Sequence, residues 1–296
     1  MTRDPSADAR GGRPAAALLR SLTAGAGPVI AVELRPPPAD LDPGESMEAW
    51  IDLHHVLRRF TGEGRFVFVT DNAVGKAEEE NLAHLLGNLP EEAPRDHVVP
   101  ILTSKHTLEY CLLYAQRAAA AGMDALTVVG GDKAVGPPRC LPHAYQLRGR
   151  IRERVPSLTL GGWANPHRPA REQADFLTAP DFNASFFLTQ VVSHHSAGGL
   201  EALHRELAHR GARVPGLAGI FLYRSANPRT LERLAEYFPV PARELTAEFA
   251  AGATPEEICA RSLRAALDAG AAGVYVSNLG FREAGRRLRK VLAHLG

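Results

Sequence analysis

Eight short apolar segments, each followed by a segment with helical spacing, predict an α/β fold and, specifically, a closed (β/α)8 TIM barrel in a single domain. The strand segments are apolar throughout rather than alternating, which is typical of a parallel sheet covered by helices. The length of 296 residues suits eight such units, because barrels of about 250 residues are common. No GxGxxG turn follows the first strand, which argues against an open dinucleotide-binding sheet.

The predicted elements follow one another without a linker from residue 28 to residue 296. Before them lies an N-terminal extension, residues 1–27, which we expect to be flexible apart from a short helix at 15–22. Its beginning is rich in Arg, Gly and Asp and lacks the apolar core of a secretory signal. Strands are predicted at 29–34, 66–70, 98–103, 125–129, 158–161, 185–189, 217–222 and 272–277. Helices are predicted at 47–60, 77–86, 108–121, 143–154, 170–177, 200–209, 227–237, 255–269 and 282–295.

Local signals support the individual elements. Aliphatic and β-branched residues fill the strand segments, and apolar residues three or four positions apart mark the helices. The helix at 108–121 is rich in Ala and stops at Gly122. The helix at 255–269 begins at Thr254, with Glu257 in the position of a capping box. This helix and the one at 227–237 form a pair between strands seven and eight, which is the one irregularity of the series.

Composition excludes several functional classes. The formal net charge of +1 provides no overall field that would favour nucleic acid or an anionic membrane. No apolar stretch approaches the roughly 18 residues needed to span a bilayer. Cys111, Cys140 and Cys259 are far apart and form no CxxC or Cys/His ligand spacing. These features predict a reduced, cytoplasmic protein without a structural zinc site.

Polar residues collect where the predicted strands end. In a barrel the C-terminal ends of the strands face one mouth, where the chemistry of such enzymes is done. The opposite ends of the same strands are much plainer, so the sequence predicts an enzyme or a small-molecule binder. The residues at the eight ends are Glu33; Thr70-Asp71-Asn72; Thr103-Ser104-Lys105-His106; Gly130-Gly131-Asp132-Lys133; Trp163-Ala164-Asn165 with His167; Thr189-Gln190; Tyr223-Arg224-Ser225; and Ser277-Asn278.

Taken singly, each of these residues also has a structural explanation. Asp132 after two glycines can cap the loop backbone, Gln190 can satisfy loose backbone groups, and Trp163 can fill the core. The adjacent His194 and His195 look like a metal pair, but neighbouring residues point in different directions and no acidic ligand stands nearby. We therefore expect no metal site.

The series of strand ends resembles the methylenetetrahydrofolate reductase family over nearly the whole chain after residue 28. The resemblance rests on the order and spacing of several short motifs, none of which is decisive alone. These motifs are Val32-Glu33-Leu34-Arg35-Pro36-Pro37, Val69-Thr70, Pro100-Ile101-Leu102-Thr103, Gly122 with Gly131-Asp132, Trp163-Ala164-Asn165-Pro166-His167, Gln173-Ala174-Asp175, Leu188-Thr189-Gln190, Gly219-Ile220 and Val274-Tyr275-Val276-Ser277-Asn278.

The resemblance implies a barrel that uses FAD to carry hydride from NAD(P)H to 5,10-methylenetetrahydrofolate, in one-carbon metabolism and methionine biosynthesis. Glu33 then matches the acid that opens the methylene bridge, a task that requires a carboxyl kept protonated by partial burial. Asp132 matches the aspartate beside the pterin and the flavin, and Gln190 the glutamine that both substrates meet. The positions implied to bind the flavin are Thr70, Asp132, Trp163, His167 and Asp175.

Three departures from the family pattern concern the flavin. Ile101 stands where the family commonly has His, and Gly130 where it has Arg before the Gly-Asp pair. The segment 176–187 contains no Lys or Arg, although the family carries basic residues there. A flavin-free variant, in which the nicotinamide passes hydride directly to folate, is therefore a second form of the same hypothesis. The cations available to compensate are Lys105, Lys133, Arg139 and Arg168.

Two other classes of function compete with the reductase. One is a pterin-dependent methyltransferase that uses 5-methyltetrahydrofolate and needs no nicotinamide. The other is a non-catalytic, folate-binding partner subunit that retains the barrel, which is less consistent with the presence of Glu33 as a proton donor. The Ala/Leu-rich helix faces are compatible with a homo-oligomer or with a partner subunit, and no pattern distinguishes NADH from NADPH.

Overall fold

A computed structural model describes residues 15–71, 81–89, 93–132 and 136–295. Eight parallel strands close into a barrel in chain order, which confirms the predicted (β/α)8 architecture. The ring is closed by pairing of the first strand with the last, from Val29 opposite Gly273 to Val32 opposite Val276. The strands are β1 (Val29–Leu34), β2 (Val67–Val69), β3 (Val98–Thr103), β4 (Ala125–Val129), β5 (Thr159–Ala164), β6 (Phe186–Val192), β7 (Gly216–Phe221) and β8 (Gly273–Ser277).

Helices cover the outside of the strands, and none in the described residues is long and apolar enough to cross a membrane. A 3₁₀ turn, Arg95–His97, precedes β3. Residues 77–80, the first four of the helix predicted at 77–86, lie outside the described residues, as do Asn72 and Lys133. The helices are α1 (Ala17–Thr23), α2 (Pro43–Gly62), α3 (Asn81–Asn88), α4 (Leu108–Ala120), α5 (Ala144–Arg154), α6 (Ala170–Thr178), α7 (Ala197–His209), α8 (Pro228–Ala235), α9 (Ala242–Ala250), α10 (Pro255–Asp268) and α11 (Ala284–Ala293).

The connection between β7 and β8 contains three helices rather than the predicted pair. The additional helix, α9, follows Pro241 and places Leu245 and Phe249 on one face, four residues apart. Leu245 is fully buried in a cluster with Leu231 and Ile258, so tertiary packing stabilises a helix of only nine residues. The four-residue spacing of Leu245 and Phe249, between Pro241 and Gly252, is the sequence signal that could have predicted α9.

Apolar side chains are buried on both sides of the barrel wall. Residues of one parity, such as Val32 and Leu34, pack against the helices, while their neighbours of the other parity fill the barrel interior. Helix α1 closes the end of the barrel at which the strands begin, because Leu18 and Leu22 join the interior cluster. The backbone N–H of Ala17 donates to Asp124 Oδ2 at 2.8 Å. The plug at this end leaves the mouth at the other end as the place for a ligand.

Candidate active site at the barrel mouth

Two predicted site residues occupy inward-facing positions at the C-terminal ends of their strands. Side chains alternate along a strand, so a residue shares the face of the residue two positions earlier. Ala31 and Phe68 belong to the interior cluster, which assigns the same inner face to Glu33 and Thr70, both half-buried. Gln190, also half-buried, lies at the end of β6, where a register shift interrupts the alternation.

Trp163 belongs to this inner layer as well. It lies two residues after Gly161, where a Cβ atom would come within 2.4 Å of the interior ring of Phe186. The side chain of Trp163 is 37% exposed, although β5 is otherwise almost entirely buried. An exposed indole on the inner face of a barrel mouth offers an apolar surface on which a flat ring can stack.

Tyr275 connects Glu33 to the opposite side of the barrel. Its side chain is 1% exposed, and its hydroxyl donates a hydrogen bond to the carbonyl oxygen of Thr189, the neighbour of Gln190. Burial, and then the negative charge of Glu33, raise the pKa of Tyr275 well above its ordinary value, so the phenol stays protonated. Gly219 makes room for it, because a Cβ atom there would lie 2.5 Å from the Tyr275 hydroxyl.

The strand that carries Gln190 is irregular at this point. The register between β6 and β7 shifts between Leu188 and Val191. The Thr189 hydroxyl bridges the irregularity, donating to the Gln190 carbonyl at 2.8 Å and accepting from the Gly219 N–H at 3.1 Å. Gln190 Oε1 accepts from the Val191 N–H at 2.9 Å. Such bulges occur beside active sites, where they redirect a side chain.

Asp71 organises the adjacent wall of the mouth. Its Oδ2 accepts hydrogen bonds from the backbone N–H of Thr103 at 2.8 Å, from the Thr103 hydroxyl at 2.9 Å and from His106 Nε2 at 2.7 Å. The contact with a carboxylate places a proton on His106 Nε2. The His106 ring also packs against the ring of Tyr110 at a tilt of 31°, with centroids 4.5 Å apart. His106 is therefore a fixed part of the site.

Two cations flank the glycines that precede Asp132. The guanidinium of Arg139 lies 2.7 Å from the position that a Cβ atom of residue 130 would take, and it donates to the Gly131 carbonyl. Lys105 is 6% exposed, and its stem lies 2.8 Å from the corresponding position at Gly131, where φ is +69°. Arg139 thus brings a positive charge to Gly130, the position at which the family that the sequence resembles commonly has an arginine.

His167 is held between the ends of β5 and β6. Its Nε2 donates to the Val191 carbonyl at 2.7 Å, which identifies Nε2 as the protonated nitrogen. The turn around it is fixed by Asn165, whose Oδ1 accepts from the His167 N–H at 3.0 Å. Gln173 Oε1 in turn accepts from the Asn165 N–H at 2.8 Å. His167 therefore contacts Val191, the residue next to Gln190, and lies in the same wall of the mouth.

Asp175 is not brought to this group of residues. Its carboxylate lies in the helical layer, where Oδ1 accepts from Arg210 at 2.6 Å. Arg210 follows the C-terminus of α7, and in a barrel the helices run back towards the end at which the strands begin. Asp175 thus connects two helices in the structure, and a role for it in flavin binding stays a prediction.

The Ser277 hydroxyl at the mouth is buried without a hydrogen-bond partner among the described residues. Ser277 Oγ, at the end of β8, is two positions after Tyr275 and shares its inner face. Buried polar groups are nearly always paired, so an orphaned one calls for an explanation. A ligand in the mouth would supply the missing partner.

The sequence did not predict a polar cluster in which the two adjacent histidines contact a glutamate. Glu248 Oε1 lies 2.7 Å from His194 Nε2 and 3.5 Å from His195 Nε2. The prediction that no acidic ligand stands near the histidine pair is therefore wrong. The carboxylate comes from α9, the helix that was not predicted, and it is 54 residues away from His194 in sequence.

No protein-family model matches the chain, and no curated protein sequence does. Among solved structures, the chain is similar to an uncharacterized protein from Clostridium thermocellum that binds two copies of 5-methyl-5,6,7,8-tetrahydrofolic acid. The TM-score is 0.65 at 16% identity, covering 93% of this chain and 96% of that one. An F420-dependent secondary alcohol dehydrogenase, in complex with an F420–acetone adduct, follows with a TM-score of 0.56 at 10% identity, covering 91% and 99%. At these identities the likeness concerns the fold.

Proposed function

We propose that the protein reduces 5,10-methylenetetrahydrofolate to 5-methyltetrahydrofolate, with NAD(P)H as the hydride donor. The observation that carries the proposal is the placement of Glu33 on the inner face of the mouth, across Tyr275 from Thr189 and Gln190. The resemblance of the strand-end motifs to methylenetetrahydrofolate reductases supports it. A barrel of the same fold, the Clostridium thermocellum protein, binds the product of this reaction.

Glu33 is proposed as the proton donor. Protonation of one bridge nitrogen lets its bond to the bridging carbon break, which leaves an iminium ion on the other nitrogen. Hydride from the nicotinamide then adds to that carbon and forms the methyl group, while the nicotinamide is oxidised. A positioned acid typically contributes about 10²–10⁴-fold to such a step. Tyr275 cannot replace Glu33, because its proton is engaged by the Thr189 carbonyl.

Asp132 and Gln190 are proposed to orient the pterin. The aminopyrimidine edge of a pterin presents adjacent N–H donors, which a carboxylate can accept in a forked pair. Asp132 follows the two glycines flanked by Lys105 and Arg139, and these cations attract an anionic substrate. The amide of Gln190 can both donate and accept, so it suits two successive ring ligands.

The described residues do not fit a tightly held FAD, and we infer direct hydride transfer between nicotinamide and folate. The carboxylate of Asp175, one of the positions that the resemblance assigns to the flavin, is paired with Arg210 in the helical layer. The segment 176–187 offers a single charged residue, Asp181, which would repel a pyrophosphate. Lys105 and Arg139 lie on the β3–β4 side of the mouth instead. The exposed ring of Trp163 offers a stacking surface to a nicotinamide or pterin ring.

Purified protein tests this proposal directly. We expect no flavin absorbance near about 450 nm, together with NAD(P)H oxidation that depends on 5,10-methylenetetrahydrofolate and proceeds without added FAD. A flavin spectrum, or an absolute requirement for FAD, would contradict direct transfer. Folate binding without NAD(P)H oxidation under either condition would favour the non-catalytic partner subunit. Methyl transfer from 5-methyltetrahydrofolate without any nicotinamide would favour the methyltransferase.

The role of Glu33 is tested by Glu33→Gln. We expect kcat to fall by about 10²–10⁴-fold, because glutamine keeps the shape of the side chain but cannot deliver the proton. Glu201→Gln is the matched control, since Glu201 lies exposed on α7 in a surface ion pair with Arg205. Folate reduction by Glu33→Gln at the rate of the control would show that the assigned acid is wrong.

A further inference from the structure

We infer a metal site between the β6–α7 loop and helix α9, in which His194, His195 and Glu248 bind one divalent transition-metal ion of the zinc type. The ligand atoms of these three side chains all lie within 4.8 Å of one another. Two imidazoles and one carboxylate form a ligand set that zinc adopts in proteins, with a fourth position left for water. This site is separate from the proposed folate chemistry and does not depend on it.

The distances suit an ion after small side-chain rotations. Bonds of about 2.0–2.2 Å at tetrahedral angles place neighbouring ligand atoms about 3.3 Å apart. Glu248 Oε1 is 2.7 Å from His194 Nε2 and 3.5 Å from His195 Nε2, values that bracket this separation. The three side chains are 18%, 24% and 16% exposed, so an ion can reach them and is then largely shielded from solvent.

Ser262 orients His194 for this role. The Ser262 hydroxyl donates to the Ile258 carbonyl at 3.1 Å, which leaves its lone pairs to accept from His194 Nδ1 at 3.0 Å and from the His194 backbone N–H at 3.3 Å. Nδ1 is therefore the nitrogen that carries the proton, and Nε2 points towards Glu248. Metal-binding histidines are typically fixed in this way, through a hydrogen bond from the ring nitrogen that does not bind the metal.

Glu248 provides a second, independent indication of a ligand. Its Oε2 is buried and has no hydrogen-bond partner among the described residues, while Oε1 lies beside His194 Nε2 and accepts a hydrogen bond from Arg261 at 3.2 Å. A buried carboxylate oxygen without a partner is costly, and a cation would satisfy it. The side chain of Arg261 is 50% exposed, so it can turn to solvent when an ion enters.

Zinc titration of metal-free, tag-free protein tests the site, with calorimetry for stoichiometry and Co²⁺ absorption for geometry. His194→Ala and Glu248→Gln remove ligands, and His209→Ala removes an exposed histidine at the end of α7 as a control. We expect one ion per chain in the wild type and in the control, bound about 100-fold more weakly or worse in both ligand variants. Ser262→Ala is expected to weaken binding about 10-fold.

The outcome that overturns the site is equal affinity in all of these proteins, or no stoichiometric binding at all. Because the chain has 12 histidines, only the difference between the ligand variants and His209→Ala counts as support. Circular dichroism checks that each variant is folded. Glu248→Gln keeps the volume of the side chain, so it decides the question if His194→Ala does not fold.

Discussion

Gly219→Ala is the sharpest test of how the barrel interior holds the candidate site. The new Cβ atom would lie 2.5 Å from the Tyr275 hydroxyl, 2.7 Å from Tyr275 Cζ and 3.1 Å from the carbonyl oxygen of Thr189. Neither neighbour can give way cheaply, because Tyr275 is buried in the barrel and Thr189 contributes backbone. The substitution must therefore displace the phenol that separates Glu33 from the opposite strand.

The expected cost follows from two effects. Overpacking a core position by one methyl group costs about 1–3 kcal/mol. If Tyr275 moves away from Thr189, its buried hydroxyl loses its hydrogen bond, at about 1–3 kcal/mol. Together these give about 2–6 kcal/mol, which for a protein of this size lowers Tm by about 3–10 °C. We also expect folate turnover to fall, because Gln190 directly follows Thr189.

Calorimetry or thermal circular dichroism measures the change in Tm, and NAD(P)H oxidation measures turnover. Gly198→Ala is the matched control, since no atom lies within 4 Å of its added Cβ on α7 and alanine favours a helix. Adding Tyr275→Phe to Gly219→Ala removes the closest oxygen and should recover part of the lost stability. If Gly219→Ala melts at the temperature of the control, the description of this contact is wrong.

Three further predictions concern stability. Arg148→Met should lower the free energy of unfolding in urea by about 2–5 kcal/mol, because the buried guanidinium donates to the carbonyls of Phe182 at 2.8 Å and Val128 at 3.0 Å. Tyr223→Phe should leave that free energy unchanged or raise it by up to about 1 kcal/mol, since the Tyr223 hydroxyl is buried without a partner among the described residues; a loss would reveal a partner. Burial lowers the pKa of His204, so this imidazole takes up a proton more readily in the unfolded chain than in the folded one. The free energy of unfolding should therefore fall as the pH drops from about 7 to about 5. His204→Gln should reduce this dependence on pH.

The sequence was sufficient for the fold because the strand signals are local. Strands β1, β3 and β4 have the predicted bounds, since runs of aliphatic residues are interrupted by polar residues or proline at both ends. Strands β5 and β6 continue three residues past their predicted ends. Trp163 pairs with Leu188, and Val192 with Ile220, because the backbone ladder does not depend on side-chain polarity.

The candidate site was harder to predict because its contacts join distant parts of the chain. Strand parity is enough to place Glu33 and Thr70 on one inner face, but the register shift in β6 removes that guide for Gln190. The contacts of Asp71 with His106, and of Thr189 with Tyr275, join residues 35 and 86 positions apart, and no local pattern encodes such distances. The position of Asp175 shows the same limit, because its partner stands on another helix.

The pairing of β1 with β8 has a consequence for synthesis. Strand β1 is synthesised before the other seven strands of the barrel. Its pairing with β8 can be completed only after residue 276 has been synthesised. Until then, the growing sheet exposes the unpaired backbone of β1 at one edge, and such edges template aggregation. Helix α1 packs beside the 3₁₀ turn Arg95–His97 and against the barrel interior, so it can cover one end of this intermediate but not the open edge. A chain whose synthesis stops before Gly273 lacks β8, and we expect it to depend on chaperones to avoid aggregation.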